Sequence, residues 1–392
     1  MTTPAQRIDP PPGFLADPAL RAVLAALPRA RMVGGCVRDA LLGRAVHDID
    51  LATPDPPAAV IVALREAGLK AVPTGLAHGT VTAVADHRGF EVTTLRRDIA
   101  TDGRHAVVSF TDDWHEDAAR RDFTINAMSM TAAAELFDPF GGRADLAAGR
   151  VRFVGDPAQR IAEDYLRVLR FFRFHARYAS GAPDAPAIAA IRAAVPGLAR
   201  LSAERVWSEL KRILAGPDPA ATTALMRDCG VLAAVLPEAA DGALLAQILA
   251  AGAPDDPVLR LAALIADDGA QAAARLKLSG AEATRLIALR AATAPPDMAD
   301  DDTLRRALAD TAPPVLIGAS WLAGRDAALR ARLATLPVPV FPLAGRDLAA
   351  AGIAPGPAMG ALLRDLRDWW LTGGCRADAA ACRAELARRS PG

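Results

Sequence analysis

Two aspartates that alternate with two apolar residues constrain the fold of this chain more than any other feature. Asp48 and Asp50 alternate with Ile49 and Leu51. Side chains of a β-strand repeat every two residues, so both carboxylates would share one face while both apolar side chains enter a core. Neighbouring carboxylates repel each other unless a cation binds them, and oxygen ligands suit Mg²⁺. The pattern predicts a strand with a divalent metal site; the alternative is a solvated acidic loop.

A glycine pair precedes these aspartates. Gly34 and Gly35 end a short apolar strand, and residues 37–42 read as the helix that follows. Glycines let the backbone approach phosphate oxygens, with amide groups and the helix N-terminus facing the anion. The pair therefore predicts a phosphate-binding turn, although an ordinary turn without a ligand has the same local sequence.

The charge balance argues against a protein that binds long nucleic acid through overall charge. The 392 residues include 45 basic and 45 acidic side chains, so any RNA contact must come from local patches. The length allows two or three domains. The four cysteines lack metal-ligand spacing and fit a reducing compartment. We expect a soluble cytoplasmic protein with no membrane contact and no obligate protein partner.

Residues 79–95 have the β-branched alternation of a hairpin, with its turn at residues 86–89. In the second strand Glu91 and Thr93 would share one face. Glu91 is therefore a candidate third carboxylate for the metal site. The alternative is an edge-strand charge in solvent, and the spacing does not decide between them.

The sequence RRDFTINA forms a second candidate site. Arg120 and Arg121 can neutralise a triphosphate. Asp122 and Asn126, four positions apart on one predicted helix face, can reach a ribose hydroxyl from the same side. The alternative is a helix terminus with surface arginines. The polar segment before this motif, residues 96–115, predicts a mobile loop.

Residues 156–178 predict one long helix that begins at an aspartate N-cap and a first-turn proline. Asp164, Arg167 and Phe171 would lie along one stripe of this helix. Aspartate offers only acceptors and arginine only donors, so together they can complement the Watson–Crick edges of cytosine and adenine. The alternative is an intrahelical ion pair worth about 0.3–0.5 kcal/mol.

The basic series continues with Arg170 and Arg173, which can supply phosphate and stacking contacts to an RNA end. A further amphipathic helix is predicted for residues 202–214, after a serine N-cap. We interpret three of its residues as structural support for the preceding helix: Glu204, Arg205 and Glu209.

Together these motifs resemble those of the class II nucleotidyltransferases of the polymerase β superfamily, which comprise the tRNA CCA-adding enzymes of bacteria and eukaryotes and the bacterial poly(A) polymerases. The resemblance covers roughly residues 30–215 through GG-x-V-R-D, D-x-D, RRD, E-D-x-x-R and E-R-x-x-x-E-L in this order. It implies an α+β fold: a polymerase-β-like catalytic head at 1–140 with a small mixed sheet, an all-α neck at 141–216, and a helical body and tail at 217–392 that binds tRNA.

The resemblance also implies a role for each motif. Asp48 and Asp50 would hold two Mg²⁺ ions and be catalytic. A flexible loop that includes residues 98–104 would help switch nucleotide specificity. The remaining motif residues would bind the nucleotide, either CTP or ATP: Gly34, Gly35, Arg38, Asp39, Arg120, Arg121, Asp122, Asn126, Asp164, Arg167, Arg170 and Arg173.

The implied function is template-independent addition of CCA to the 3′ end of tRNA, with contacts to the acceptor end and the elbow. The alternatives are a poly(A) polymerase and an enzyme that adds only C or only A. A catalytically inactive RNA-binding relative is a more remote alternative. Such a relative would be expected to lose an aspartate or the RRD motif, and both are intact here.

Overall fold

The computed structural model describes residues 6–101 and 106–389, which belong to two compact units that divide between Val235 and Leu236. The first unit combines a sheet with helices, and the described part of the second unit is helical. This mixture confirms the predicted α+β class. Both predicted boundaries, after residues 140 and 216, fall inside the first unit, and the three-part division stays a prediction.

The strands of the first unit provide the frame for the candidate metal carboxylates. The described strands are β1 (Gln6–Arg7), β2 (Arg31–Val33), β3 (Asp50–Thr53), β4 (Lys70–Gly75), β5 (Thr80–Ala85), β6 (Arg88–Thr94), β7 (Arg96–Thr101), β8 (Ala106–Phe110), β9 (Ser129–Met130) and β10 (Glu135–Phe137). Eight of these form a sheet in the order β1-β10-β9-β2-β3-β6-β5-β4. Its neighbours pair antiparallel except β3 and β6, which are parallel.

Along the chain, the helices of the first unit alternate with these strands and then follow them. They carry several of the predicted nucleotide-binding residues. Several of them have a proline in the first turn and an aspartate at the N-cap. The aspartate side chain accepts a hydrogen bond from a backbone N–H of that turn. The described helices are α1 (Pro18–Ala26), α2 (Gly35–Leu41), α3 (Pro57–Glu66), α4 (Trp114–Ala119), α5 (Gly142–Ala147), α6 (Pro157–Glu163), α7 (Leu166–Tyr178), α8 (Ala185–Ala194), α9 (Ala203–Leu214), α10 (Pro219–Asp228) and α11 (Val231–Val235).

A buried aromatic cluster fixes α7 against the RRD segment. The Phe123 ring lies 5.0 Å from that of Phe153 and 5.1 Å from that of Phe174, and Phe153 stacks at 5.8 Å on Phe171. All four side chains are buried. Such ring pairs add about 0.5–1.5 kcal/mol each to the area that they bury. The cluster therefore holds the polar faces of α7 and of the RRD segment in a fixed relation.

The second unit is described here by itself. Leu366 and Trp370 are buried on the helix Pro357–Thr372 and pack with Leu348 and Leu386. None of the described helices in either unit combines the length and apolar character that crossing a bilayer requires. The described helices of this unit are α12 (Ala243–Ala250), α13 (Pro257–Leu264), α14 (Ala270–Arg275), α15 (Gly280–Ala291), α16 (Asp301–Asp310), α17 (Pro313–Leu322), α18 (Ala327–Thr335), α19 (Gly345–Ala350), α20 (Pro357–Thr372) and α21 (Ala379–Arg389).

The two predictions for residues 79–115 had different outcomes. The hairpin is confirmed: β5 and β6 pair antiparallel, and Asp86 and His87 both have the positive φ of a tight turn. The irregular loop predicted for residues 96–115 is wrong, because β7 and β8 pair as a two-stranded ribbon and α4 follows, and the mobility of this segment stays a prediction. The polar composition of a segment does not show whether its backbone pairs with another strand. Residues 102–104 of the predicted specificity loop lie outside the described residues.

Candidate active site

The acidic pair is only partly on a strand. Leu51 and Ile49 are buried, as predicted, and Asp50 begins β3 with its carboxylate on the opposite side. The prediction that Asp48 belongs to the same strand is wrong, since this exposed residue lies in the irregular segment before β3. The position of Asp48 is therefore not fixed by sheet hydrogen bonds.

Glu91 is the carboxylate that the sheet itself places beside Asp50. β6 runs parallel to β3, and the Cα atoms of Asp50 and Glu91 are direct partners in the register. Burial raises the pKa of Asp50, and the negative charges of Glu91 and Asp48 raise it further, while Arg121 lowers it. Asp50 and Glu91 thus lie side by side at one end of the site, Asp48 is near enough to act on Asp50 electrostatically, and a proton or a cation would relieve the repulsion between them.

The donor chemistry of this end fits Mg²⁺. Within residues 6–101 and 106–389, no group of three or more His, Cys, Asp or Glu side chains is close enough to form a complete protein cage for a metal. Mg²⁺ does not need such a cage, because it is usually held by one or two carboxylates together with water and substrate phosphates. Asp50 with Asp48 or Glu91 meets this requirement. Their role as metal ligands stays a prediction.

Gly34 is required at its position for two reasons. Its backbone has a φ of +72°, which L side chains rarely adopt, and a Cβ there would lie 3.0 Å from Nη1 of Arg121. Gly35 follows as the first residue of α2. The turn thus brings backbone and an arginine of the RRD motif into direct proximity.

Arg38 is buried and holds two predicted site residues together. It donates to both carboxylate oxygens of Asp39, at 3.0 and 2.9 Å, and to Oδ1 of Asn126 at 2.5 Å. The ring of Tyr178 lies 4.2 Å from the guanidinium, and the Tyr178 hydroxyl donates to Asp39 at 3.0 Å. Burial opposes ionisation, but Arg38 and Tyr178 lower the pKa of Asp39. Arg38 and Asp39 therefore form a fixed wall of the site.

Asp122 is the most heavily engaged carboxylate of the site. Oδ1 accepts from the Phe123 amide at 2.9 Å and from Nδ2 of Asn126 at 3.0 Å, and Oδ2 accepts from Arg170 at 2.7 and 2.5 Å. Burial alone would raise the pKa of Asp122, but Arg170 and these hydrogen bonds lower it. The predicted helix is wrong here, since α4 ends at residue 119 and Asn126 closes a short 3₁₀ turn. Folding of that turn brings Asn126 to Asp122.

Both adjacent arginines of RRD are bonded to one carboxylate, that of Asp117 in α4. Arg120 Nε donates to Oδ1 at 2.8 Å, and Arg121 Nη2 donates to Oδ2 at 3.3 Å. Burial would raise the pKa of Asp117, but the two arginines lower it. Arg121 also donates to the backbone oxygen of Asn126 at 3.4 Å. These hydrogen bonds to protein groups thus fix the orientation of both arginines.

The long helix predicted for residues 156–178 is interrupted at Asp164. This residue has extended backbone angles, φ −155° and ψ 105°, between α6 and α7. Its Oδ1 accepts from the Leu166 amide at 3.1 Å, and its Oδ2 accepts from Arg205 of α9 at 2.7 Å. The predicted stripe is wrong, because Asp164 is not helical and Phe171 is buried in the core. The capping bond and Arg205 stabilise the break.

Arg167 is not paired with Asp164. Its Nη1 donates to the carboxylate of Glu163 at 2.5 Å and to the Arg160 carbonyl at 2.8 Å, and its Nη2 donates to the Arg120 carbonyl at 3.1 Å. The simple intrahelical pair between Asp164 and Arg167 is therefore absent. Both side chains are oriented independently by protein groups, which leaves donors and acceptors for a ligand.

The predicted supporting helix α9 contacts α7 through a buried carboxylate. Glu209 accepts from Arg173 at 2.6 Å and from Arg212 at 3.2 Å. Glu204 is exposed in the first turn. Arg205 faces the site through its bond to Asp164. The supporting role of these residues stays a prediction, and the contacts of Arg205 extend it into the site.

These elements enclose a cleft of about 490 Å³. Six arginines and three aspartates are among its lining residues, so the cleft is positive although the chain is neutral. Asp50 and Glu91, with Arg120, line an adjoining cavity of about 130 Å³. Asp39 and Asp48 line neither space. The residues that line the cleft are Gly34, Gly35, Arg38, Asp50, Arg121, Asp122, Asn126, Asp164, Leu166, Arg167, Arg170, Arg173, Phe174 and Arg205.

The sequence interpretation gave no site role to three residues of this arrangement: Asp117, Glu163 and Tyr178. Asp117 precedes Arg120 and Arg121 by three and four positions, a spacing that predicts ion pairs on a helix, so a local signal existed. Glu163 has the same relation to Arg167. Tyr178 had no such signal, because its partner Asp39 is 139 positions away.

Comparison with known proteins identifies two family models within the chain. Residues 30–152 match the poly(A) polymerase head domain, and residues 184–242 match the probable RNA- and SrmB-binding site of polymerase A. The first match contains the glycine turn, the aspartates and the RRD motif.

Curated relatives extend the similarity over most of the chain. It is 38% identical to the mitochondrial CCA tRNA nucleotidyltransferase 1 of Mus musculus, over 88% of this chain and 83% of that protein. It is 32% identical to a CCA-adding enzyme of Levilactobacillus brevis, over 92% and 94% of the two chains.

Solved structures share the fold. The CCA-adding enzyme of Bacillus stearothermophilus in complex with CTP has a TM-score of 0.76 and 27% identity, with 95% of this chain and 98% of that one covered. The Thermotoga maritima CCA-adding enzyme complexed with tRNA has a TM-score of 0.64 and 20% identity, over 98% and 97% of the two chains.

Proposed function

We propose, since this chain belongs to the family of CCA tRNA nucleotidyltransferases, that it adds C, C and A to the 3′ end of tRNA from CTP and ATP. The observation that carries this function is the cleft, in which the Asp50 carboxylate, Arg121 of RRD, and Asp164 with Arg167 line one space. A nucleoside triphosphate requires contacts to its phosphate chain, its ribose and its base within one such space.

The phosphate chain is bound by the positive part of the cleft. Arg121 lies against Gly34, and Arg120 lines the adjoining cavity with Asp50. Guanidinium groups form short, charge-assisted hydrogen bonds to phosphate oxygens. Arg38 contributes less directly, because Asp39 and Asn126 already occupy much of its guanidinium. Arg120 and Arg121 are therefore the main triphosphate ligands.

The ribose is recognised by Asn126 rather than by Asp122. The acceptor sites of Asp122 are taken by Phe123, Asn126 and Arg170. Arg38 and Asp122 bind opposite ends of the Asn126 amide and fix its orientation. The amide retains one N–H and one lone pair, which complement a hydroxyl group that both accepts and donates. Asp122 acts by holding this amide.

The base is selected by Asp164 and Arg167. Arg205 and the Leu166 amide hold the aspartate, while Glu163 and two carbonyls hold the arginine. Rigid donors and acceptors discriminate strongly, because a base with the wrong edge leaves buried polar groups unpaired. Protein side chains thus replace a nucleic-acid template.

The reaction is attack of the RNA 3′-hydroxyl on the α-phosphate, with release of pyrophosphate. When bound at Asp50 with Asp48 or Glu91, Mg²⁺ supplies Lewis-acid stabilisation of the reacting phosphate. The arginines of the cleft orient the triphosphate and balance its charge. The proposed contact region for the tRNA elbow is residues 217–392, and the proposed contacts to the acceptor end are Arg170 and Arg173 beside the cleft. The proposed compartment is the cytoplasm.

The test is incubation of purified protein with tRNA that lacks its last three nucleotides, labelled CTP, ATP or both, and Mg²⁺, with products resolved at single-nucleotide length. We expect growth by C, C and A followed by a stop. Long A tracts would instead identify a poly(A) polymerase. Arrest after C-C would identify a C-adding enzyme, and no growth on this tRNA together with addition of A to a tRNA that already ends in C-C would identify an A-adding enzyme.

A further inference from the structure

We propose that Asp117 is the positioning residue that holds Arg120 and Arg121 in place for the triphosphate. Asp117 lies in α4 with only 3% of its surface exposed, and it is the carboxylate to which both arginines of RRD are bonded. It belongs to none of the motifs considered above. The inference rests on the proposed function, because it concerns how that site is organised.

Packing alone does not fix the position of Arg121. This side chain lines the main cleft and two further cavities, of about 150 and 130 Å³, and Asp117 lines both of the smaller ones. A side chain with open space on several sides keeps its conformation only if directional bonds hold it. The bonds that do so run to Asp117 and to the Asn126 carbonyl.

The carboxylate also ties the arginines to neighbouring elements. Asp117 Oδ1 accepts from the backbone N–H of Arg96, the first residue of β7, at 3.4 Å. The backbone oxygen of Arg120 accepts from Arg167. Asp117 therefore connects the ribbon of β7 and β8, the arginine pair and the base-selecting arginine through consecutive contacts.

Two roles of Asp117 predict opposite effects of its neutralisation. If Asp117 is only a counter-charge, its replacement by Asn makes the cleft more positive and strengthens triphosphate binding. If it positions the arginines, the same replacement releases them and weakens triphosphate binding. Loss of one charge-assisted anchor corresponds to about a tenfold change.

The chain offers a matched control in Glu385 of α21. Glu385 also accepts from two arginines three and four positions later, Arg388 and Arg389, and it is also buried. It lines none of the three cavities described above. Glu385→Gln thus removes the same kind of doubly paired carboxylate elsewhere in the protein.

The experiment measures the Kd of the full chain for CTP and for CMP by calorimetry without tRNA, in buffer with Mg²⁺. We expect Asp117→Asn to raise the Kd for CTP about tenfold and to leave that for CMP unchanged, while Glu385→Gln changes neither. Equal weakening of CTP and CMP binding, or tighter CTP binding, would overturn the positioning role. Wild-type protein that binds CTP no better than CMP would instead contradict the proposed triphosphate site.

Two further variants make the result independent of folding defects. Asp117→Glu keeps the charge and is expected to recover part of the CTP affinity, so affinity no better than that of Asp117→Asn would count against the role. In an Arg120→Ala, Arg121→Ala background, Asp117→Asn should have little further effect on CTP binding, because its action runs through those arginines. An additive loss would overturn the inference.

Discussion

Arg170 of α7 donates from Nε and Nη2 to one carboxylate oxygen of Asp122, at 2.7 and 2.5 Å, across 48 positions of the chain. The pair joins the RRD segment to the helix that carries Arg167. Asp122 also holds Asn126, the proposed ribose contact, and α7 carries Arg167, the proposed base contact. The Arg170–Asp122 pair therefore sets the position of these two contacts relative to each other.

We expect Arg170→Ala to lower the free energy of unfolding by about 3 kcal/mol. The substitution leaves the buried Asp122 carboxylate without its main counter-charge, and Arg170 retains some solvent contact, so the low end of the range for a broken buried pair applies. Thermal unfolding followed by circular dichroism measures the change. Arg29→Ala, which breaks the exposed pair with Asp55, should cost less than 1 kcal/mol. Equal losses would contradict this.

Stability should fall at acid pH in part because of Asp122. Arg170 and the hydrogen bonds lower the folded-state pKa of Asp122 below its unfolded value of about 4. A depressed carboxylate pKa contributes stability that is fully present above the unfolded pKa and is lost as pH falls through the folded pKa. In Asp122→Asn the slope of unfolding free energy against pH below pH 4 should be shallower, by up to about 1.4 kcal/mol per pH unit. Parallel slopes in urea titrations would contradict the assignment.

Asp50→Ala should abolish nucleotide incorporation, by roughly a thousandfold or more, and leave the fold intact. The change removes the carboxylate at the end of the cleft and with it the proposed Mg²⁺ ligand. Single-turnover extension of tRNA measures the rate. Glu66→Ala, at an exposed carboxylate of α3, is the control and should extend tRNA normally. Substantial activity in Asp50→Ala would remove the basis of the metal assignment.

Arg167→Ala should reduce the preference for CTP and ATP over UTP and GTP by about tenfold or more. It removes hydrogen-bond donors that the protein holds toward the cleft. Misincorporation on tRNA with each of the four nucleotides measures the preference, and Arg65→Ala at an exposed arginine is the control. Unchanged fidelity would refute the base-selecting role.

Asn126→Ala should reduce kcat/KM for CTP about tenfold while that for dCTP changes little. Only the ribonucleotide has the 2′-hydroxyl that the remaining N–H and lone pair of the amide complement. The comparison of CTP with dCTP on the same variant is its own control for misfolding. A parallel loss for both substrates would move ribose recognition to another residue.

The sequence by itself determined those features that depend only on residues close together in the chain. Alternation placed Ile49 and Leu51 in the core with Asp50 opposite them. Turn chemistry and β-branched alternation predicted the hairpin of β5 and β6. In each case, neighbours within a few positions decide the conformation.

Only the tertiary structure decided how the motifs meet. The backbone leaves the helix at Asp164 because Arg205, 41 positions later, binds the carboxylate that also caps α7. Arg38 reaches Asn126 across 88 positions. Helical periodicity favours continuation through residue 164, but burial makes unpaired charges costly, so the folded chain adopts the arrangement that pairs them. Periodicity and spacing do not identify partners that lie far apart in the sequence. Contacts between such partners form much of the cleft.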